Sequence, residues 1–252
     1  MSAVVFGVPV EGYGLPEIGA SLALKTPSWI VTANPEILLE AHRDKAYADA
    51  LKQADVRMVD GFGLWLMLRI TGHQTTRVSG VALADQLVSL AAKQGWRVGL
   101  VGGVVGVSEE AKQTLLKRHP GLQLLSEQGG RVDQTGQDDT AGEEARYRLT
   151  MFNPEVLLVA FGHPKQELWI SKYKDSFPSL KVVVGVGGTF DVWAGRMKRA
   201  PGWMQVLGLE WLWRVVMEPK RIGRILNAVV VFPLVFLTKT LFSGISRKDS
   251  AR

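Results

Sequence analysis

The feature that most constrains this chain is a series of short, unbroken apolar runs rich in Val, Ile and Leu. They are Trp29–Val31, Val56–Val59, Val98–Val101, Leu122–Leu125, Val156–Phe161 and Val182–Val186. A strand with one wet face alternates apolar and polar residues. A run without alternation suits a strand covered on both faces, as in a parallel sheet. Between the runs, Val81–Gln94 and Ser108–Arg118 space their apolar residues as helices do. Strand–helix alternation predicts an α/β domain with a mainly parallel sheet. Gln128–Glu144 is polar and Gly-rich, which predicts a loop followed by a helix start.

The character of the chain changes after Gly195. From Arg196 to Arg252, 11 Lys or Arg stand against 3 Asp or Glu, a net +8. Residues 1–195 carry 19 against 21, a net −2, which together give the +6 of the whole chain. The expected division is therefore a body, 1–195, and a basic tail, 196–252. Such asymmetry points to a polyanion: nucleic acid, an anionic membrane surface or a phosphorylated ligand. Leu207–Arg224 reads as an amphipathic helix broken near Pro219, with Trp211 and Trp213 inside it and Trp203 just before it. Tryptophan suits a membrane interface, and equally a core. Ile225–Phe236 is nearly all apolar, shorter than the roughly 17–25 residues of a spanning helix. It fits a core helix or a helix lying in the interface. Cysteine is absent, which excludes disulfides and cysteine-ligated metals. The N-terminal MSAVVFGVPVEGYG has no basic region ahead of its apolar stretch, so a secretory signal is not expected.

Ligands of parallel α/β sheets bind beyond the carboxyl ends of the strands. The candidates are thus the polar residues and glycines that follow the apolar runs. Thr32 and Asn34 follow the first, Asp60 the second, and Gly102 and Gly103 the third. Lys165, Gln166 and Glu167 follow Val156–Phe161, and Gly188 and Asp191 follow the last. Gly102-Gly103-x-x-Gly106 could offer backbone amides to a phosphate, or form only a tight turn. It lacks the full dinucleotide fingerprint, which argues against a Rossmann oxidoreductase. Asp60 fits a cap for the next helix or a general base. Asp138–Asp139 reads as solvated surface. The four histidines have no ligand-like spacing and no D-x-D pair is present, so no metal site is expected. Arginines and helix N-termini would then neutralise any bound diphosphate. Arg214, Arg221 and Arg224 share a face on one helix. Arg77 and Lys165 could meet a uronate carboxylate, a phosphate or solvent.

Seven segments carry a family resemblance. They are T-A-N-P-E (Thr32–Glu36), D-G-F-G (Asp60–Gly63), G-H-P-K-Q-E (Gly162–Glu167), G-V-G-G-T-F-D (Gly185–Asp191), R-A-P-G-W (Arg199–Trp203), E-W-L-W-R (Glu210–Arg214) and E-P-K-R-I-G-R (Glu218–Arg224). In this order the chain resembles the WecG/TagA/CpsF family of bacterial glycosyltransferases, from about Val4 to Phe236. The resemblance implies a Rossmann-like domain with a helical C-terminal appendage that docks on the membrane. It implies an inverting, metal-independent transfer of N-acetylmannosamine or its uronic acid from a UDP-sugar to undecaprenyl-diphosphate-linked GlcNAc. The product would be a precursor of wall teichoic acid or surface polysaccharide. The family's base maps to Asp60, its Thr-x-Asn pair to Thr32 and Asn34, and its appendage arginines to Arg214, Arg221 and Arg224. The donor would then meet Gly102, Gly103, Arg77, Lys165, Gln166, Glu167, Gly188 and Asp191. No cofactor is implied. The expected place is cytoplasmic, peripheral on the inner face of the bacterial cell membrane. Self-association is left open. The rival is a non-catalytic binder of nucleic acid or anionic lipid, and the apolar Ile225–Phe236 run is out of place in a nucleic-acid arm.

Overall fold

A computed structural model describes residues 2–16, 28–217 and 222–239. Among them, one eight-stranded sheet runs in the order β1-β2-β4-β3-β8-β7-β5-β6. The parallel strands are β3 (Ser28–Ala33), β4 (Val56–Val59), β5 (Val98–Gly102), β6 (Leu124–Glu127), β7 (Val156–Ala160) and β8 (Val182–Gly185). All six apolar runs lie in or overlap strands. The fourth is displaced, because β6 is the sheet's edge and only half-buried, so its covered face is marked less sharply.

An N-terminal hairpin that the sequence did not announce extends the sheet: β1 (Ser2–Val5) and β2 (Val8–Glu11), paired antiparallel. Its turn is Phe6–Gly7, with φ of +52° and +81°. Hairpins with both turn residues at positive φ favour Asn-Gly or Asp-Gly, so Phe-Gly hides the signal. A left-handed Phe costs roughly 1–2 kcal/mol. Arg57 on β4 offsets this by tying the hairpin down: Nη2 donates to Glu11 Oε1 at 2.6 Å and Nε to the Pro9 carbonyl at 2.8 Å.

The helices of the body are α1 (Pro35–Arg43), α2 (Lys45–Lys52), α3 (Phe62–Ile70), α4 (Gly80–Gln94), α5 (Val107–Arg118), α6 (Thr140–Phe152), α7 (Lys165–Tyr173) and the short α8 (Thr189–Trp193). Local chemistry sets their ends. Asp44 caps α2, Ser79 caps α4 and Asp139 caps α6, while Gly95 closes α4 in the left-handed region. The sheet separates two cores. Trp29 and Val31 face one, with Tyr47, Leu64 and Trp169; Ile30 faces the other, with Leu87, Leu100 and Phe190. Each fully buried side chain of this size contributes about 1.5–3 kcal/mol.

Three further helices follow: α9 (Gly202–Val206), α10 (Glu210–Met217) and α11 (Ile222–Lys239), the last with a π turn at Asn227–Val231. They lie on the body. Gly208 sits so tightly on Phe62 that a Cβ there would be 2.1 Å from the ring. Phe232 and Phe236 belong to the first core, so α11 packs against the body. At 18 residues and a mean hydropathy of 1.7, α11 reaches the length and apolarity of a membrane span. The expectation from Ile225–Phe236 alone was a shorter run; Ile222 and the residues up to Lys239 extend the helix. Its inner face packs on the body through Ile225, Phe232 and Phe236. Its outer stripe, Leu226, Val230, Leu234 and Leu237, is exposed and apolar.

Candidate active site

A cleft of about 1180 Å³ opens at the carboxyl ends of the parallel strands. The sheet order explains its place. The chain runs outward from β3 to β4 and from β5 to β6 on the other side, so the loops part between them, as at the switch point of doubly wound sheets. The loops after β3, β4, β7 and β8 form the floor; α10 and α11 form part of the walls.

Asp60 is fixed at three points. Its amide donates to the Ala33 carbonyl at 2.7 Å, its Oδ1 accepts from the Gly61 amide at 2.6 Å, and its Oδ2 accepts from the Gly80 amide at 3.3 Å. Gly80 opens the 15-residue α4, whose N-terminal partial charge favours a carboxylate. The next helix, α3, has Gly61 at its cap and no side-chain bond. Asp60 therefore does not cap the helix that follows it. Thr32 is buried, its hydroxyl directed to the Gly185 carbonyl at 3.4 Å. A side-chain carbon on Gly80 would lie 3.7 Å from Thr32 Oγ1 and 3.8 Å from Asp60 Oδ2, so both groups face Gly80. Asn34 lines the cleft, and its Oδ1 caps α1 by accepting from the Ile37 amide at 3.0 Å.

The glycine pair resolves as a turn. A Cβ on Gly102, at φ +102°, would lie 2.8 Å from the Ala160 carbonyl, so close packing of β5 on β7 demands glycine. Gly102 does not line the cleft; Gly103 does, but its amide already donates to the Ala160 carbonyl at 2.9 Å. Glu167, expected on the donor side, is likewise absent from the lining. It is buried between α7 and α2, accepting from the Tyr47 hydroxyl at 2.9 Å and from Gln166 Nε2 at 2.7 Å. Burial pushes its carboxyl up to about 7, against the pull of those two hydrogen bonds. The same burial, with Glu167 beside it, holds the Tyr47 hydroxyl well above its usual range.

Arg77, Lys165, Gln166, Gly188 and Asp191 line the cleft. Arg77 pairs with Glu210 of α10 at 3.3 Å. Arg224 reaches Glu36 Oε2 at 2.7 Å and lies 3.4 Å from His163 Nδ1. Burial holds the pKa of His163 below its ordinary value, with Arg224 adding to the fall and Glu36 opposing it. Arg214 is on α10, and nothing is described of its side chain; Arg221 lies outside the described residues. Sequence reasoning missed the wall formed by residues 130–133 and 137–139. Asp138, read as solvated, is buried between Arg146 Nε at 2.8 Å and the Trp169 indole at 2.5 Å. Partners 8 and 31 residues away leave no local signal. Lys198, Arg199 and Trp211, which also line the cleft, stand inside or beside the quoted motifs but were not singled out as ligands. Among the described residues, no three His, Asp or Glu side chains gather as a metal site.

The family described as "Glycosyl transferase WecG/TagA/CpsF family" matches residues 3–245. Two relatives carry the name N-acetylglucosaminyldiphosphoundecaprenol N-acetyl-beta-D-mannosaminyltransferase. The one from Staphylococcus aureus (strain MRSA252) is 35% identical over 205 residues, covering 81% of this chain and 77% of that protein. The one from Bacillus subtilis (strain 168) is 34% identical over 199 residues, covering 79% and 75%.

Proposed function

Because the chain belongs to the WecG/TagA/CpsF family of glycosyl transferases, we propose that it moves N-acetylmannosamine, or its uronic acid, from a UDP donor to undecaprenyl-diphosphate-linked GlcNAc. The observation that carries this reading is the Asp60 carboxylate, held by the Gly80 amide on the floor of a cleft walled by α11. The acceptor hydroxyl oxygen attacks the anomeric carbon of the donor as the bond to the UDP oxygen breaks. Asp60 takes the hydroxyl proton, and UDP departs with the electron pair. Attack opposite to the leaving group inverts the anomeric centre.

The leaving diphosphate gains charge in the transition state, and preorganised cations stabilise it there. Arg77 and Lys165 take this role on the donor side. Arg214, Arg221 and Arg224 bind the acceptor's own diphosphate, whose charge does not change, so both diphosphates are met by cationic side chains and transfer proceeds without a divalent metal. The outer stripe of α11, with the exposed Trp203 and Trp211, supports docking on the inner membrane surface, where the lipid acceptor presents its head group. The product serves wall teichoic acid or surface polysaccharide synthesis. The test is UDP release from UDP-N-acetylmannosamine, or from the UDP derivative of its uronic acid, with a GlcNAc-diphosphate lipid in anionic vesicles, before and after EDTA. Release that depends on the acceptor and survives EDTA is expected. No release with either mannosaminyl donor overturns the activity, and loss restored only by Mg²⁺ or Mn²⁺ overturns the metal independence.

A further inference from the structure

The hairpin turn holds a residue that its geometry disfavours. Val5 pairs with Val8, and both intervening residues have positive φ, the two-residue turn that Asn-Gly adopts without strain. Nothing within the turn rewards a phenylalanine. The reward is outside it. The Phe6 ring lies 4.7 Å from His42 in the last turn of α1, and edge-on to Phe232 and Phe236 of α11 at 5.9 and 6.5 Å. A strained residue persists when its surroundings use it, and here they use its ring.

The same helix enters the cleft at its other end. Arg224 meets Glu36 and His163, and Ile225, Ala228 and Val229 line the cleft. α11 is therefore gripped twice, by an ion pair near its N-terminus and by an aromatic cluster near its C-terminus. A helix held at one end can pivot, whereas one held at both fixes the side chains between. We propose that Phe6 is a positioning residue for the acceptor side of the cleft, its left-handed turn holding the ring that fixes α11 over the site. The kinetic part of this rests on the function proposed above.

The test compares Phe6→Asn and Phe6→Tyr in the full-length protein on anionic vesicles. Asn-Gly favours the same turn, so Phe6→Asn keeps the hairpin and deletes the ring; Phe6→Tyr keeps both ring and strain. Three quantities are read: amide exchange over Ile222–Lys239, UDP affinity, and transfer to GlcNAc-diphosphate lipid. For Phe6→Asn, faster exchange on α11, intact exchange protection of β1 and β2, unchanged UDP affinity and a raised acceptor KM are expected. Misplacement of a positioned group by about 1 Å costs up to ~10²-fold in rate, which bounds the fall in kcat/KM. Phe6→Tyr should restore all of these. Wild-type protection of α11 in Phe6→Asn overturns the proposal. So does an equal loss of UDP and acceptor affinity, which would mark a merely structural role. The exchange measurement needs no substrate, so it decides the positioning of α11 even where the wild type transfers nothing to this acceptor.

Discussion

Asp60 was legible as a candidate because it ends an apolar run, but its alternatives, base or cap, needed the partner 20 residues on. With Gly80 rather than α3 as that partner, a proton-accepting role gains support from geometry. Asp60→Asn should lower turnover by ~10²–10⁴-fold while leaving UDP affinity close to wild type. An amide nitrogen facing the Gly80 amide would add a loss of stability of at most about 1 kcal/mol, because the pair is only half-buried at the cleft. Turnover followed over a pH series checks this, and near-normal rates would make Asp60 a turn residue only. Glu167 was also marked by its motif, yet its chemistry lies beneath the cleft. Its carboxyl ionises at the ordinary 4.5 in the unfolded chain and at about 7 when folded. The folded state therefore keeps a proton that the unfolded chain gives up. Stability contributed by this group is complete below pH 4.5 and falls as the pH rises to about 7. Relative to wild type, Glu167→Gln should flatten the melting temperature across that window. Parallel melting curves for the two proteins would remove Glu167 from the account.

At the scale of elements, legibility followed how local the cause was. α4 is bounded by its own serine cap and its own glycine, and the reading of Val81–Gln94 missed its start by one residue. The parallel strands were visible because covering both faces leaves an unbroken apolar run. β1 and β2 were not, because Phe6 replaces the expected turn residue and Pro9 interrupts the strand pattern. The glycine run after β5 suggested a phosphate cradle or a tight turn, and contact with β7 accounts for the glycine at 102 without a ligand. Gly102→Ala should accordingly lower stability by more than about 1 kcal/mol, through both a positive φ and a 2.8 Å approach to backbone. Thermal unfolding measures it, and UDP affinity per folded molecule should persist. A variant with unchanged stability but lost UDP binding would restore the phosphate reading.

For the molecule as a whole, the change of composition at Gly195 was plain in the sequence, whereas the docking of the tail was not. Apolar residues at the surface of one segment do not say which segment covers them. A tail read as an appendage should be removable, leaving a folded, UDP-binding body. The buried Phe232 and Phe236 argue otherwise. Removing residues 196–252 should cost several kcal/mol, about 1.5–3 for each of these rings, and expose Phe6. Circular dichroism on the truncated chain checks this; a wild-type melting temperature would return α11 to the status of an independent appendage. The cleft's cations have a further consequence for how a charged ligand is met. Arg77 and Arg224 already hold carboxylates, Glu210 and Glu36, at 3.3 and 2.7 Å. A diphosphate that takes their place displaces fixed anions of the protein more than mobile ions of the buffer. Little counterion is then released to solution, so its affinity should fall less steeply with ionic strength than a count of arginines implies.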